Sequence, residues 1–172
     1  MNQKLYKLGI DIGSTTVKIA ILDEQDHLIF SDYERHFANI QETLSNLLHK
    51  AFDTTGEIMV SPMITGSGGL TLAKHLDIDF VQEVIAVSTA LTHYAPQTDV
   101  AIELGGEDAK IIYFENGNVE QRMNGICAGG TGSFIDQMAS LIQTDALPTP
   151  DVFSTLRSLV LLKWILLLKY RV

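Results

Sequence analysis

The sequence predicts an α/β fold, in which strands alternate with helices. Three observations indicate this class: short apolar runs that end in glycine turns, alternating apolar and polar positions, and intervening segments with helical apolar spacing. The chain has 172 residues, of which 46% are hydrophobic and 19% charged, so it can bury a core. This length suffices for one ordinary domain or two small ones.

Apolar alternation predicts seven strands. The second strand is the clearest, because the odd-numbered positions of 17–22 are Val or Ile. Asn116-Gly117, a strong two-residue turn signal, joins the last two strands into a hairpin. We expect the strands, in chain order, at residues 5–12, 17–22, 28–36, 58–65, 100–104, 109–115 and 119–123.

The segments between these strands have apolar residues at helical spacing. The segment 39–52 shows it best, with Ile40, Leu44 and Leu47 on one face. Pro96 ends the third helix, because proline cannot continue one. We expect helices at residues 39–52, 70–75 and 81–94, and a further helix that begins near Phe134.

The net charge changes from negative to positive near the end of the chain. The formal net charge of −9 argues against a nucleic-acid backbone as the main partner. The last 20 residues hold four of the 12 bases, none of the 21 acids and seven leucines, so the remainder carries −13. We predict a lobe at residues 1–145 and a divergent, Leu-rich basic tail at 146–172. Lys163 interrupts the tail, and we expect no membrane span.

A ten-residue pattern occurs twice. Residues 10–19 read Ile-Asp-Ile-Gly-Ser-Thr-Thr-Val-Lys-Ile, and residues 102–111 read Ile-Glu-Leu-Gly-Gly-Glu-Asp-Ala-Lys-Ile. Glycine lets backbone N–H groups approach an anion closely, and a neighbouring carboxylate can hold hydrated Mg²⁺ or orient a water molecule. The matched pair indicates two loops that clamp the phosphates of one nucleotide; two ordinary hairpins are the alternative.

A third glycine-rich segment begins at Cys127 and opens onto the last predicted helix. A helix N-terminus attracts anions and favours a thiolate, so Cys127 could ligate a metal. It could equally be a small buried apolar residue. Because it is the only cysteine, an internal disulfide and a zinc site built from several thiolates are excluded. The P-loop pattern G-x-x-x-x-G-K-S/T is absent.

The two repeated motifs resemble the phosphate motifs of the acetate kinase, sugar kinase, heat-shock protein and actin superfamily. Residues 124–134, Asn-Gly-Ile-Cys-Ala-Gly-Gly-Thr-Gly-Ser-Phe, resemble a more selective group. This group comprises the ATP-dependent activators of 2-hydroxyacyl-CoA dehydratases and the related benzoyl-CoA reductase ATPase subunits. The likeness covers about residues 5–144. It implies the ribonuclease H-like lobe of the actin-like ATPase fold, an α/β lobe in which a mixed sheet carries flanking helices, with an incomplete second lobe.

The resemblance also implies roles and cofactors: ATP, Mg²⁺ and a 4Fe-4S cluster. Asp11 and Glu103 match the carboxylates near Mg²⁺ and the hydrolytic water, and Cys127 matches the first cluster ligand. Lys18 matches its motif too, although strand alternation equally allows a solvated side chain. The residues expected to bind the nucleotide are Gly13, Ser14, Thr15, Thr16, Lys18, Gly105, Gly106, Gly129, Gly130, Thr131 and Gly132.

The function implied by the resemblance is an ATPase activator. Such activators are homodimers with one cluster at the dimer interface, and they use ATP to drive an electron into a 2-hydroxyacyl-CoA dehydratase or related reductase. The electron donor would be a ferredoxin or a flavodoxin. The N-terminus has no apolar signal core, which favours a cytoplasmic location.

Three departures from the family pattern limit this expectation. Glu103 stands where the family usually has Asp, the second cluster cysteine is missing, and the pattern stops after about Asp145. We therefore expect a truncated or frame-shifted chain whose activity is impaired and whose cluster is weak or lost. A non-catalytic remnant or interaction module, and a small-molecule kinase of the same superfamily, are the alternatives.

Overall fold

The computed structural model describes residues 4–105, 109–115 and 118–123, together with Met138 and Leu141, which are helical. The elements in this part are β1 (Leu5–Ile12), β2 (Thr16–Leu22), β3 (Leu28–Arg35), α1 (Ile40–Thr55), β4 (Met59–Thr65), α2 (Gly69–Leu76), α3 (Glu83–Tyr94), β5 (Val100–Leu104), β6 (Ala109–Glu115) and β7 (Asn118–Met123).

The predicted α/β class is confirmed. Each element predicted before residue 124 is present, and no end differs from its predicted position by more than three residues. The expected start of the last helix near Phe134 and the basic tail lie outside the described residues. Among the described helices, none combines the length and the apolar character needed to cross a membrane.

The first sheet has the strand order β3-β2-β1-β4. Strand β1 pairs antiparallel with β2 and parallel with β4, which makes it an inner strand. Because successive side chains alternate between faces, β1 and β2 together present one apolar face. Its six residues are each at most 5% exposed: Leu8, Ile10, Ile12, Val17, Ile19 and Ile21.

Helices α1 and α2 cover this apolar face. Leu44, Leu47 and Ala51 of α1 and Ala73 of α2 belong to the same buried cluster as the six strand residues. The buried positions of α1 recur every three or four residues, as expected for a helix with one apolar face. This cluster is the main core of the part of the chain that the structure describes.

Helix α3 packs against both sheets. Ala86 and Ala90 form a buried cluster with Leu22, whose side chain points to the face of β2 opposite the main core. Val87 and Leu91 form another cluster with Ile112 of β6. The second sheet has the order β5-β6-β7, with antiparallel neighbours. Both sheets therefore turn one face towards the same helix.

A pair of neighbouring leucines tests the packing of α1. Leu47 is fully buried, whereas Leu48 is 37% exposed. We expect Leu47→Ala to lower the free energy of unfolding by about 2–5 kcal/mol, because it removes buried methyl groups and leaves a cavity. Leu48→Ala should cost about 1 kcal/mol or less. Urea unfolding of the full chain measures both; equal losses would contradict the described orientation of α1.

Candidate functional site

The repeated motifs form two hairpins with the same register. Asp11 of β1 lies opposite Lys18 of β2, and Glu103 of β5 lies opposite Lys110 of β6. In each hairpin, four positions separate the last paired residues of the two strands. The sequence repeat is therefore also a structural repeat, with a carboxylate and a lysine at matching places.

The first pair is buried. Asp11 is 3% exposed, and the Lys18 ammonium donates a hydrogen bond to Asp11 Oδ2 at 3.1 Å. Burying a carboxylate is costly unless an opposite charge compensates it, which explains why Lys18 turns towards Asp11. In the structure the Lys18 ammonium pairs with Asp11 instead of pointing into solvent, and its assignment to the nucleotide stays a prediction.

The second pair includes a third residue. The Lys110 ammonium contacts Glu83 Oε2, and it lies 3.7 Å from Glu103 Oε1. The side chains of all three residues are at most 18% exposed. Glu83 occupies the first turn of α3, where a negative charge interacts favourably with the helix dipole. Glu83 was not singled out from the sequence, because only the fold brings it near Lys110.

The N-terminal end of α3 connects the two pairs. Thr65 of β4 lies beside Asp11 in the sheet, and its hydroxyl donates to the Val81 carbonyl at 2.7 Å. Two residues later, Glu83 begins α3 and contacts Lys110. Both carboxylate–lysine pairs are therefore linked to the same end of one helix.

Three hydrogen bonds from other segments hold the backbone at residues 12–15, where the first hairpin turns. The Gly68 N–H donates to the Ile12 carbonyl at 2.9 Å. The His36 ring Nε2 lies 3.2 Å from the Gly13 carbonyl, and the His36 N–H donates to the Thr15 carbonyl at 3.1 Å. The turn is thus held from two sides, by the end of β3 and by the loop after β4.

Gly66, in the loop after β4, occupies a position that has no space for a side chain. Its φ is +96°, and a Cβ there would lie 2.2 Å from the Ile12 carbonyl oxygen and 2.6 Å from Asp11 Oδ1. The loop after β4 therefore packs directly on the carboxylate of the first hairpin. The run from Gly66 to Gly69 is visible in the sequence, but there it indicates only the end of a strand.

The structure describes some of the predicted site residues and not others. The described ones are all on the two hairpins: Asp11, Gly13, Ser14, Thr15, Thr16, Lys18, Glu103 and Gly105. The following lie outside the described residues: Gly106, Cys127, Gly129, Gly130, Thr131 and Gly132. Four residues that were not assigned to the site from the sequence contact its two hairpins: His36, Thr65, Gly66 and Glu83.

Comparison with known proteins identifies the family. The profile of the BadF/BadG/BcrA/BcrD ATPase family matches residues 8–147. The chain belongs to this family. The resemblance seen in the sequence motifs is thereby confirmed. A relative of the same family, the 2-hydroxyisocaproyl-CoA dehydratase activator of Clostridioides difficile, is 31% identical over 147 residues. That match covers 82% of this chain and 54% of the relative.

Two solved structures of the family have the same fold. Component A of the (R)-2-hydroxyglutaryl-CoA dehydratase of Acidaminococcus fermentans matches with a TM-score of 0.70 and 25% identity, over 83% of this chain and 56% of that one. The ADPNP-bound activator of the 2-hydroxyisocaproyl-CoA dehydratase from Clostridium difficile matches with a TM-score of 0.66 and 26% identity, over 82% and 53%. The actin-like ATPase fold is confirmed, and the chain spans about half the length of these relatives.

Two glycines test the packing around Asp11. Gly56 and Gly66 both have positive φ, +72° and +96°, but no atom lies within 4 Å of a Cβ built at Gly56. Gly56→Ala should cost about 1–3 kcal/mol of stability from backbone strain alone. Gly66→Ala should cost about 1–3 kcal/mol more, because its methyl group overlaps Ile12 and Asp11. Urea unfolding compares them; equal losses would contradict the close packing of the loop on Asp11.

Proposed function

We propose that this chain binds MgATP at the N-terminal end of α3, as the nucleotide-binding part of an activator of a 2-hydroxyacyl-CoA dehydratase. The observation that carries the proposal is the duplicated hairpin, in which Asp11–Lys18 and Glu103–Lys110 occupy equivalent register positions. A nucleotide analogue bound to the Clostridium difficile activator and the names of the curated relatives support it. Because the chain spans about half of those relatives, the activity of a whole activator is part of the proposal.

The first turn has the composition of a phosphate-binding loop. Gly13 begins it, and Ser14, Thr15 and Thr16 add hydroxyl donors with little bulk. Ser14 is exposed, whereas the residues on either side of it are half-buried. The Gly13 N–H donates to the Thr16 carbonyl across the turn. We propose that other N–H groups of this turn and its hydroxyl groups bind the terminal phosphates, and that Gly105 contributes the equivalent backbone in the second hairpin.

The donor set at the two strand ends fits Mg²⁺. This ion prefers oxygen ligands, keeps several water molecules and is usually bound through one or two carboxylates together with substrate phosphates. When bound, it would neutralise charge on the phosphates. Asp11 and Glu103 supply the carboxylates; Lys18 donates a hydrogen bond to one oxygen of Asp11, and Lys110 lies 3.7 Å from one oxygen of Glu103. We propose that these two carboxylates would hold the hydrated ion and orient the water molecule that attacks the phosphate.

The donor set for a 4Fe-4S cluster is incomplete in this chain. Such a cluster is held by four cysteine thiolates, whereas the sequence has one cysteine, Cys127, so two copies would supply two. The homodimer, the ferredoxin or flavodoxin donor, the cytoplasmic location and the division at residue 145 stay predictions, and the dehydratase partner is part of the proposal.

Calorimetric titration of the full chain with MgATP tests the proposal. We expect binding by the wild-type chain and about tenfold or greater loss of affinity in Glu103→Gln, since charged hydrogen-bond partners contribute more than neutral ones. Lys110 keeps Glu83 as a partner in this variant, so the fold should tolerate it. The double variant Asp11→Asn/Lys18→Met removes the first pair without leaving a lone buried charge and should weaken binding similarly.

Glu120→Gln is the matched control, because Glu120 is an exposed carboxylate on β7 that pairs with Arg122. Its affinity for MgATP should equal that of the wild type. Melting curves establish that each variant is folded. Absence of heat at millimolar MgATP with folded wild-type chain, or equal affinities in all four proteins, would contradict the proposed function.

A further inference from the structure

His36 links the end of β3 to the turn of the first hairpin through two hydrogen bonds. It is 8% exposed and follows the last residue of β3 directly. Its ring Nε2 lies 3.2 Å from the Gly13 carbonyl oxygen, and its backbone N–H donates to the Thr15 carbonyl at 3.1 Å. The same residue therefore contacts two of the peptide groups that form the turn.

The local geometry sets the tautomer of this histidine. The Ala38 N–H donates to His36 Nδ1 at 3.1 Å, so Nδ1 acts as an acceptor. A neutral imidazole with an accepting Nδ1 carries its proton on Nε2. The Nε2–H consequently donates to the Gly13 carbonyl.

The backbone after His36 adopts an unfavourable conformation that brings the Ala38 N–H to the ring. Phe37 and Ala38 have φ values of +43° and +66°, a region that residues other than glycine seldom occupy. The Asn39 N–H donates to the His36 carbonyl at 2.6 Å and closes this turn. The histidine is therefore held on both its ring and its backbone sides.

Holding these two carbonyls sets the direction of two N–H groups. A trans peptide unit is planar, and its C=O and N–H point in opposite directions. When the Gly13 carbonyl points to His36, the Ser14 N–H points away from it, and the Thr16 N–H is fixed likewise by the Thr15 carbonyl. Under the proposed function, these two N–H groups are backbone donors that the turn offers to the phosphates.

We propose that His36 is a positioning residue for the first phosphate-binding turn, in which its Nε2–H holds the Gly13 carbonyl so that the Ser14 N–H faces the phosphates. This proposal rests on the proposed function for its phosphate ligand, but the arrangement of the turn can be tested without nucleotide.

Two substitutions separate the roles of the two ring nitrogens. In His36→Asn, the new amide oxygen stands the same number of bonds from the backbone as Nδ1 and can accept from the Ala38 N–H, but the shorter side chain lacks the donor to Gly13. His36→Gln keeps a donor at the position of Nε2 and lacks the acceptor for Ala38. If His36 only contributed to stability, both variants would disturb the turn in proportion to their loss of stability.

Amide hydrogen exchange, measured by NMR on the full chain without nucleotide, decides between these roles. The reporter is the Gly13 N–H, which donates to the Thr16 carbonyl across the turn at 2.9 Å. We expect Gly13 to exchange about tenfold faster in His36→Asn and within about threefold of wild type in His36→Gln. Gly56, whose N–H donates to the Phe52 carbonyl at the end of α1, serves as the control amide.

Equal Gly13 exchange in the two variants, whether both fast or both unchanged, would overturn the proposal. If His36→Asn does not fold, His36→Gln decides alone: Gly13 exchange within about threefold of wild type supports the proposal, and faster exchange with unchanged Gly56 overturns it.

Affinity for MgATP is the second readout. We expect about five- to tenfold weaker binding in His36→Asn and near wild-type binding in His36→Gln, whatever the order of their melting temperatures. A folded wild-type chain that shows the expected Gly13 exchange pattern but binds no MgATP would refute the proposed function and leave the positioning by His36 standing. Wild-type binding with equal affinities in both variants would refute the role of His36 and leave the proposed function standing.

Discussion

The buried carboxylate of Asp11 is the constraint on which the arrangement of the first hairpin depends. It lies at the carboxyl end of an inner strand with 3% exposure, so a compensating charge has to come from the neighbouring strand, and Lys18 supplies it. The loop after β4 packs so closely on Asp11 that only glycine fits at position 66. Thr65, beside Asp11 in the sheet, in turn joins β4 to the start of α3.

Helix α3 is the element to which both duplicated hairpins are connected. Its apolar residues pack against both sheets, and its first residue, Glu83, contacts Lys110 of the second hairpin. A small change in the contact between Glu83 and Lys110 would therefore alter how the second hairpin meets the helix. Under the proposed function, phosphates bound by both hairpins would hold both sheets against this helix, since each hairpin belongs to a different sheet.

The local sequence pattern predicted the helices and strands well, but it predicted the contacts between them poorly. Strands such as residues 17–22 follow from alternation alone, and the family follows from the motifs. Alternation puts Lys18 on the face of β2 opposite the main core. It does not tell whether the Lys18 ammonium contacts solvent or Asp11, because that depends on the register of two strands. His36 and Glu83 reach the hairpins over 23 and 27 residues of sequence, respectively, so no local signal indicated their roles.

Under the proposed function, both hairpins belong to one nucleotide site. The most direct measurement is an NMR titration of the full chain with the magnesium complex of ADPNP, following the amides of Gly13, Ser14 and Gly105. One site predicts that all three resonances shift with the same saturation curve, while those of Gly56 and Arg122 stay in place. Shifts confined to the first hairpin, or different saturation curves for Ser14 and Gly105, would contradict the claim.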